Sequence, residues 1–335
     1  MDIYNTNAKK NYERFRMFLL SNLIGVGMLG YLLMVRVYSE IMYAIYTAVS
    51  YETYERLINS SIFNNLTYIV YAGLCVVLPF SIVYLISKRI FSYKIPYGKI
   101  KPDSGFVPTI LIGWGICVLG NYVSGIFSMI TERFFESTPT GAPSDVTSAA
   151  QITFVGFLVS VISTAVVPAL VEEFALRGVV MQPLRRFGDK FAVVISAVVF
   201  ALIHGNFEQI PFAFVVGLAL GYVVIRTGSI WTGVVLHFIN NFWAVCTEYM
   251  YYLMPAEWYF IIYYGTNAIV CVAAIAAAVY LYKKDVRNGI TEGVLEKPNC
   301  SISIFQKSLF AIYSPAFLLG AWLFLDTALQ NFEKV

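Results

Sequence analysis

The sequence predicts an all-α fold, namely a polytopic transmembrane helical bundle with about eight or nine spans. Hydrophobic residues make up 59% of the 335-residue chain, charged residues make up only 13%, and the mean hydropathy is +0.69. Soluble globular proteins usually carry about 25% charged residues. Apolar segments long enough to cross a bilayer, which takes about 20 residues, also recur along the whole chain. These observations together exclude a soluble protein.

Nine apolar segments are candidate spans. The segments 191–204 and 211–225 are short, so they could be tilted, broken or buried among their neighbours. The tyrosine-rich segment 39–60 could form a short helix at the membrane interface. The first candidate span follows a polar, basic N-terminus and lacks a small-residue cleavage site, which predicts a retained span rather than a signal peptide. The nine candidates are 17–38, 65–87, 107–131, 150–171, 191–204, 211–225, 230–247, 258–282 and 305–327.

The basic residues predict how these spans are oriented, because cytoplasmic loops collect Lys and Arg. If the N-terminus is cytoplasmic and there are nine spans, nearly all of the 23 basic residues lie in cytoplasmic regions or beside them. The long polar loop 136–151 then lies outside the cytoplasm and is predicted to be flexible. The result is a multi-pass protein of the cell membrane, with residues 171–178 near its cytoplasmic face. The basic residues that do not fit this pattern are Arg36, Arg56, Arg133 and Lys334.

The chain has only two histidines, and both lie within a predicted span or at its edge. Imidazole and charged side chains are rare in spans and usually face the bundle interior. In "FALIH", Phe200 and His204 are four residues apart and share a helix face; in "HFINN", His237 and Asn241 do the same. Each stretch also has a simpler interpretation. His204 could bond a backbone carbonyl at a helix end, and His237 with Asn241 could link two helices by hydrogen bonds.

The third polar stretch is "VEEFALRG", residues 171–178, at the end of a long apolar segment. Glu173 and Arg177 are four residues apart, with the acid first, which is the favourable order for an ion pair on a helix. Glu172 points about 100° away from Glu173 and has no such partner. An unpaired carboxylate in a low dielectric is a better proton acceptor, as a general base requires. The simpler interpretation is a solvated helix end.

Taken together, the three stretches predict a site that hydrolyses a bond with an activated water. Glu172 would take a proton from the water, and His204 and His237 would hold that water or a metal ion. Asn241 would donate a hydrogen bond to the oxyanion. Glu173 and Arg177 would fix the position of Glu172 from behind.

Zinc is the metal that this residue set would favour, because neutral imidazole is a good zinc ligand. His204 and His237 are the candidate ligands, and a third ligand would have to be Glu172 or Asn241. The sequence contains no HExxH stretch, which excludes a conventional zincin helix. It also contains no GxSxG-type signal, so a serine triad is not favoured. The dependence on a metal stays open.

The three stretches resemble the motifs of the CPBP intramembrane protease family, also called the Abi or type II CAAX prenyl endopeptidase family. The family pattern is EExxxR, then FxxxH, then HxxxN, and this chain has all three in that order. The stretch between the histidines is also similar to bacterial members. In it, Asn206 and Gln209 follow the first histidine, and Gly217 with Gly221 would let helices approach closely. The resemblance covers about residues 150–247.

The resemblance implies an endopeptidase in which Glu172 activates water while His204, His237 and Asn241 line one cavity in the bundle. Eukaryotic relatives trim prenylated CAAX tails, whereas bacterial relatives are linked to peptide maturation, bacteriocin immunity and signalling. For this chain, which we expect to be bacterial, the predicted partners are membrane lipid, a peptide or lipidated protein substrate and a membrane protein, but no nucleic acid. The substrate would be membrane-embedded, lipidated or a short amphipathic peptide.

The predicted organisation has three parts. Residues 1–149 form an N-terminal transmembrane region of about three spans that lies outside the resemblance, residues 150–247 form the catalytic core, and residues 248–335 form C-terminal spans and a tail. Two other functions remain open at this point. One is a non-catalytic scaffold or regulatory partner with the same fold, and the other is a transporter that uses buried Glu and His as a proton relay. Related halves, which transporters often show, are not found in the sequence.

Overall fold

The computed structural model describes residues 2–100, 105–135, 152–288, 295 and 300–333, and most of these residues are helical. No β-strand occurs in those ranges, and the predicted all-α helical bundle is confirmed. The predicted polar loop 136–151 lies outside the described residues. The helices are α1 (Asp2–Thr47), α2 (Tyr51–Ile58), α3 (Ser61–Tyr71), α4 (Leu78–Phe91), α5 (Phe106–Phe135), α6 (Phe154–Ser160), α7 (Val167–Glu172), α8 (Met181–Leu184), α9 (Asp189–Ile203), α10 (Ile210–Thr227), α11 (Ile230–Leu253), α12 (Ala256–Arg287), α13 (Ile304–Ile312) and α14 (Pro315–Glu333).

Three π-helical segments join some of these helices into longer rods. The segment Ala72–Val77 joins α3 to α4, while Val161–Val166 and Glu173–Val180 join α6, α7 and α8. Pro79 and Pro168 are each the second residue after the first two segments, and a proline has no N–H with which to continue the regular helical ladder. π-helical turns are rare and frequently mark functional sites. The sequence patterns predicted helices here but not this local widening.

The number of spans differs from the number of helical rods. Within the described residues, six helices are long and apolar enough to cross a membrane, and the α13–α14 pair, bent by 71°, would be a seventh. The 15-residue α9 is too short, at about 1.5 Å per residue. The longer α11 carries His237, Asn240 and Asn241 among its apolar residues, which lowers its hydropathy. The predicted eight or nine spans therefore stay a prediction. The predicted span 305–327 covers the two helices of the bent pair, and the predicted span 150–171 begins outside the described residues.

The segment predicted as an interfacial helix is divided between two helices. α1 continues to Thr47, beyond the predicted end of the first span, and the separate helix α2 covers only Tyr51–Ile58. Ser50 caps α2, because its side-chain oxygen accepts a hydrogen bond from the Thr53 amide at 3.4 Å. Residues 39–60 are therefore the end of a long helix followed by one short helix.

The core of the bundle is built around α10, which packs against α5, α9 and α11. Gly217 and Gly221 allow the close approach to α9: a Cβ at Gly217 would lie 2.9 Å from Ala197, and one at Gly221 would lie 3.0 Å from Val193. The contact expected from this pair of small residues is therefore present. On the outside, α12 packs on α5, and α1 packs along α14 and α4.

The extended segment after α4 ties the beginning of α11 to the rest of the bundle. The Ile230 amide donates to the Pro96 carbonyl at 2.9 Å, and the Ser229 hydroxyl donates to the Gly98 carbonyl at 2.8 Å. On the same segment, the Tyr93 hydroxyl lies 3.5 Å from the Val179 carbonyl. Burial raises the pKa of Tyr93 to about 12, so this hydroxyl remains a donor at neutral pH. These contacts hold α11 against the rod that contains Glu172.

Candidate active site

One cavity of about 500 Å³ brings the four predicted catalytic side chains together. Glu172, His204, His237 and Asn241 all line it. Glu172 is the last residue of α7, His204 caps the C-terminus of α9, and His237 and Asn241 lie one turn apart on α11. Three segments that are separate in the sequence thus contribute polar groups to a common space inside the bundle.

The two adjacent carboxylates have different surroundings. The side chain of Glu172 is 17% exposed, and its Oε2 lies 3.9 Å from Nε2 of His237. Glu173 is completely buried, and its Oε1 accepts hydrogen bonds from Arg177 Nη1 at 2.9 Å and from His237 Nδ1 at 3.1 Å. Glu172 is therefore the carboxylate available to a molecule in the cavity, and Glu173 is held by protein groups, as the spacing predicted.

Arg177 is also completely buried, and its charge is compensated from several directions. Besides Glu173, it bonds the Gly217 carbonyl through Nη2 at 3.1 Å, and its guanidinium lies 4.6 Å from the centre of the Phe200 ring. A buried charge is tolerated only when it is paired and hydrogen-bonded. The Glu173–Arg177 pair predicted from the sequence is thus part of the packed core behind the cavity.

The ion pair of Glu173 and Arg177 contacts a different side chain from the one that the sequence predicted. The sequence led us to expect that Glu173 and Arg177 would fix Glu172, but Glu173 contacts His237. The reason is that α11 crosses behind Glu173, so a single carboxylate oxygen is shared between the guanidinium and the imidazole. Glu173 therefore orients His237 directly, and it is connected to Glu172 only as its neighbour in the chain.

The hydrogen bonds of the two histidines define which ring nitrogen carries the proton when the ring is neutral. His204 Nδ1 lies 2.7 Å from the Phe200 carbonyl, and His237 Nδ1 lies 3.1 Å from the Glu173 carboxylate; both partners can only accept. The Phe200 carbonyl is available because the last carbonyls of a helix have no partner within it. In both rings Nδ1 is then the donor, and Nε2 keeps a free lone pair.

His204 makes the backbone bond that the simpler interpretation anticipated, and it also lines the cavity. The ring of Phe200 packs edge-to-face against both histidines, with centroid distances of 4.7 Å to His204 and 5.8 Å to His237. Phe200 is only 2% exposed. One buried ring therefore contacts both imidazoles and Arg177, which fixes their relative positions.

The orientation of the Asn241 amide follows from its neighbours. Its Nδ2 donates to the Thr164 carbonyl at 3.0 Å, and its Oδ1 accepts from Asn240 Nδ2 at 3.1 Å. The Thr164 carbonyl lies four residues before Pro168, which has no N–H to offer it. With the oxygen engaged and only one N–H used, the second N–H of Asn241 remains available. Asn240 also lines the cavity and was not predicted from the sequence.

Of the two remaining predicted residues, Gln209 and Asn206, only one lines the cavity. Gln209 precedes α10 and lines the cavity. Asn206 does not line it; its Oδ1 accepts a hydrogen bond from the Glu208 amide at 3.0 Å, which is a local turn contact. The structure therefore brings Gln209 but not Asn206 together with the catalytic candidates.

Sequence analysis missed the side of the cavity that comes from the N-terminal region. We call the four tyrosines there, Tyr31 and Tyr38 on α1 and Tyr68 and Tyr71 on α3, the tyrosine wall. Asn64 and Thr67 of α3 also line the cavity. No motif marks these residues in a chain with 24 tyrosines.

Ring contacts hold the tyrosine wall together. Tyr71 stacks on Tyr68 with a centroid distance of 5.8 Å and meets Tyr38 edge-on at 5.3 Å. The hydroxyls of Tyr31 and Tyr71 are hydrogen-bonded to each other. Such aromatic pairs add stability beyond the area that they bury. The tyrosine wall is thus a cluster with internal contacts that lines the same cavity as Glu172.

Among the described residues, no three His, Cys, Asp or Glu side chains lie close enough to hold one metal ion, so Glu172 does not complete a three-ligand site with the two histidines. A set that uses Asn241 as the third ligand stays untested. Because each Nδ1 is hydrogen-bonded, Nε2 is the atom that His204 and His237 would offer to a metal. Zinc binding by these two histidines stays a prediction, and no step of the chemistry below is derived through it.

Comparisons with known proteins agree with the motifs. Residues 154–243 match the family model described as "Type II CAAX prenyl endopeptidase Rce1-like". No curated protein and no solved structure matched the chain. The matched segment is under a third of the chain, yet it contains the EExxxR, FxxxH and HxxxN motifs together with Thr164. The chain thus contains an Rce1-like segment, and its resemblance to the CPBP family of intramembrane proteases is confirmed.

Proposed function

We propose that the protein is an intramembrane endopeptidase that hydrolyses a peptide bond with a water activated by Glu172. The observation that carries this proposal is the position of Glu172, which reaches the cavity, lies 3.9 Å from Nε2 of His237 and is not engaged by Arg177. The match of residues 154–243 to a peptidase family supports the same class of reaction.

In the proposed reaction, Glu172 removes a proton from a water as the water oxygen attacks the carbonyl carbon of the substrate. The other proton of this water is donated to a free Nε2 lone pair, that of His204 or that of His237, and this hydrogen bond holds the water in the cavity. The attack gives a tetrahedral intermediate with a negatively charged oxygen. When this intermediate collapses, the C–N bond breaks, and the proton held by Glu172 passes to the departing amine. Glu172 thus acts first as general base and then as general acid.

Asn241 is the proposed donor to the oxyanion. Its second N–H is available because one N–H is bonded to Thr164 and the oxygen is bonded to Asn240. A preoriented donor of this kind stabilises charge that develops only in the transition state, and removing one typically costs about 10²–10³ in kcat.

The proposed substrate is a peptide that reaches the cavity from the membrane. The exposed apolar surface of the helices and the six to seven candidate spans favour a lipid environment. A membrane-embedded segment, a lipidated protein or a short amphipathic peptide would meet this requirement. We also propose the cytoplasmic orientation of the N-terminus and of the site, on the basis of the distribution of Lys and Arg in the sequence.

The experiment that tests the function is a cleavage assay with purified protein in lipid vesicles. A pool of synthetic membrane-inserted peptides is incubated with wild-type protein and with the Glu172→Ala and His204→Ala variants, and the products are identified by mass spectrometry. We expect defined products from wild type, and none from variants that retain their helical content. Equal products from all three proteins would refute the proposed chemistry.

Zinc is tested separately by metal analysis of the purified protein. Zinc retained by wild type in a 1:1 ratio and lost from His237→Ala would support binding by the histidines. A zinc-free wild-type protein whose cleavage is unaffected by a chelator would exclude a catalytic role for the metal. The two results are independent of which peptide is cleaved.

A further inference from the structure

The cavity surface carries an acidic side chain but no lysine or arginine among the described lining residues. Among the residues found to line it, Glu172 is the only acid, and there is no Lys or Arg. The carboxylate of Glu172 therefore gives this surface a negative potential, and the group nearest to its Oε2 is Nε2 of His237, at 3.9 Å.

Arg177 does not offset this potential. It is completely buried, is bonded to Glu173 and to the Gly217 carbonyl, and lies against the Phe200 ring. Its charge and that of Glu173 compensate each other within the core. Among the described residues, no Lys or Arg forms an ion pair with Glu172, and His237 is its nearest ionisable neighbour.

The tyrosine wall adds a surface that is attractive to cations. Tyrosine rings carry negative charge on their faces and attract ammonium and guanidinium groups. Four of these rings line the same cavity as Glu172, and Tyr68 is still 38% exposed. Attraction between unlike charges is also stronger in a low dielectric than in water. No Lys or Arg among the described lining residues would pair with an anionic group.

We propose that the tyrosine wall and Glu172 together bind a positively charged side chain of the substrate, Lys or Arg, next to the scissile bond. The proposal rests on the proposed function and defines its substrate class. The cation lies against the rings and is attracted by Glu172 through space, so the Glu172 oxygens remain available to the water. The site thereby selects cationic peptides over neutral ones and disfavours anionic ones.

The test uses three matched peptides. Each is a Leu- and Ala-rich membrane-spanning peptide with a central Gly-Xaa-Gly, in which Xaa is Lys, norleucine or Glu. Wild-type protein is placed in uncharged phosphatidylcholine vesicles, so that anionic lipid does not concentrate the Lys peptide. Cleavage is followed by mass spectrometry, and binding is measured by fluorescence with analogues that are N-methylated at the central peptide bonds.

We expect the Lys peptide to bind about tenfold more tightly than the norleucine peptide, from the typical strength of cation–π contacts, and the Glu peptide to bind most weakly. Where the peptides are cleaved, kcat/KM should follow the same order. Equal binding of the Lys and norleucine peptides, or preference for Glu, would overturn the proposal.

Variants identify the surface that is responsible. Tyr68→Leu should remove most of the preference for Lys, whereas Tyr68→Phe, which keeps the ring face, should retain it. The matched control is Tyr259→Leu, because Tyr259 stacks on Tyr263 at 5.9 Å in a similar pair that does not line the cavity. A preference for Lys that persists in Tyr68→Leu, or that Tyr259→Leu removes equally, would show that the tyrosine wall does not recognise the cation.

The two proposals can fail separately. If no peptide is cleaved but the Lys analogue still binds more tightly and depends on Tyr68, the cation site stands and the protease function is wrong. If peptides are cleaved in a Glu172-dependent way but Lys gives no advantage in binding or cleavage, the function stands and the cation site is wrong.

Discussion

The cavity has two sides that are built in different ways. The catalytic wall, by which we mean Glu172, His204, His237 and Asn241, is fixed by hydrogen bonds and by a buried ion pair behind it. The tyrosine wall is held by contacts among its own rings and by one hydroxyl pair. The catalytic wall falls within the segment that matches the peptidase family, and the tyrosine wall lies outside it. Under the two proposals, chemistry and substrate selection would come from different parts of the chain.

The largest expected effect is on the catalytic wall. Glu172→Gln should reduce kcat by about 10³-fold or more, since the amide cannot accept the proton from water. Helical content and thermal unfolding should change little, because Glu172 is not part of the buried ion pair. The control is Glu257→Gln, an exposed glutamate at the beginning of α12. Similar losses in both variants, measured as product per minute, would contradict the assignment.

The next effect is on stability and comes from the ion pair behind the catalytic wall. Arg177→Met leaves the Glu173 carboxylate buried with one partner fewer, which should lower the free energy of unfolding by about 3–5 kcal/mol. The exposed pair Arg36–Glu40, with an N–O distance of 2.7 Å, provides the control, and Arg36→Met should cost less than about 1 kcal/mol. Thermal unfolding in detergent measures both. Equal losses of stability in the two variants would mean that burial does not determine how much an ion pair contributes to the free energy of unfolding.

The third effect separates two adjacent asparagines. Asn241→Ala should lower kcat by about 10²–10³ with little change in KM, because its N–H is used in the transition state. Asn240→Ala should have a smaller effect, since Asn240 orients the amide of Asn241. Steady-state kinetics on one peptide distinguishes the two. A larger loss from Asn240→Ala would reverse the assigned roles.

The fourth effect comes from a glycine that faces the buried carboxylate. A Cβ at Gly233 would lie 2.5 Å from Glu173 Oε2 and 2.7 Å from Val224 Cγ2. Gly233→Ala should therefore destabilise the protein by about 1–3 kcal/mol and slow cleavage by moving Glu173 away from His237. The control is Gly265→Ala on α12, where nothing lies within 4 Å. If Gly233→Ala leaves the unfolding temperature and kcat unchanged, the packing at Glu173 is looser than described.

The smallest effect is expected on the tyrosine wall. Tyr31→Phe removes the hydroxyl that bonds Tyr71, which typically contributes about 0.5–1.5 kcal/mol, and keeps the ring. A loss of this size changes an equilibrium constant a few-fold, so we expect KM to rise a few-fold. We expect kcat to stay constant. A loss of kcat comparable with that of Asn241→Ala would place Tyr31 in the chemistry and remove the distinction between the two walls.

The sequence was sufficient for most of the catalytic wall. Spacings of four residues correctly indicated the paired faces of His237 and Asn241 and the Glu173–Arg177 contact, because these are properties of single helices. What the sequence could not indicate was the contact between Glu173 and His237. That contact depends on where α11 crosses the rod of α7, and crossing positions are set by packing and not by spacing.

The tyrosine wall could not be predicted for a related reason. Tyr31 and Tyr71 are typical residues of an aromatic-rich membrane chain, and only the packing of α1 against the π-helical segment Ala72–Val77 brings their helices together. The positions of the π-helical segments could not be predicted either, since Pro79 and Pro168 are compatible with the beginnings of ordinary helices. Asn206 is the opposite case, where adjacency to a histidine in the sequence did not place it in the cavity.

The most direct test of the central claim compares wild type with Glu172→Gln on one cleaved peptide in H₂¹⁸O. The account predicts that wild type incorporates ¹⁸O into the new carboxyl terminus at a defined bond, while the equally folded variant gives no labelled product above background. Labelled product formed at the same rate by the variant would contradict the claim that Glu172 activates the water.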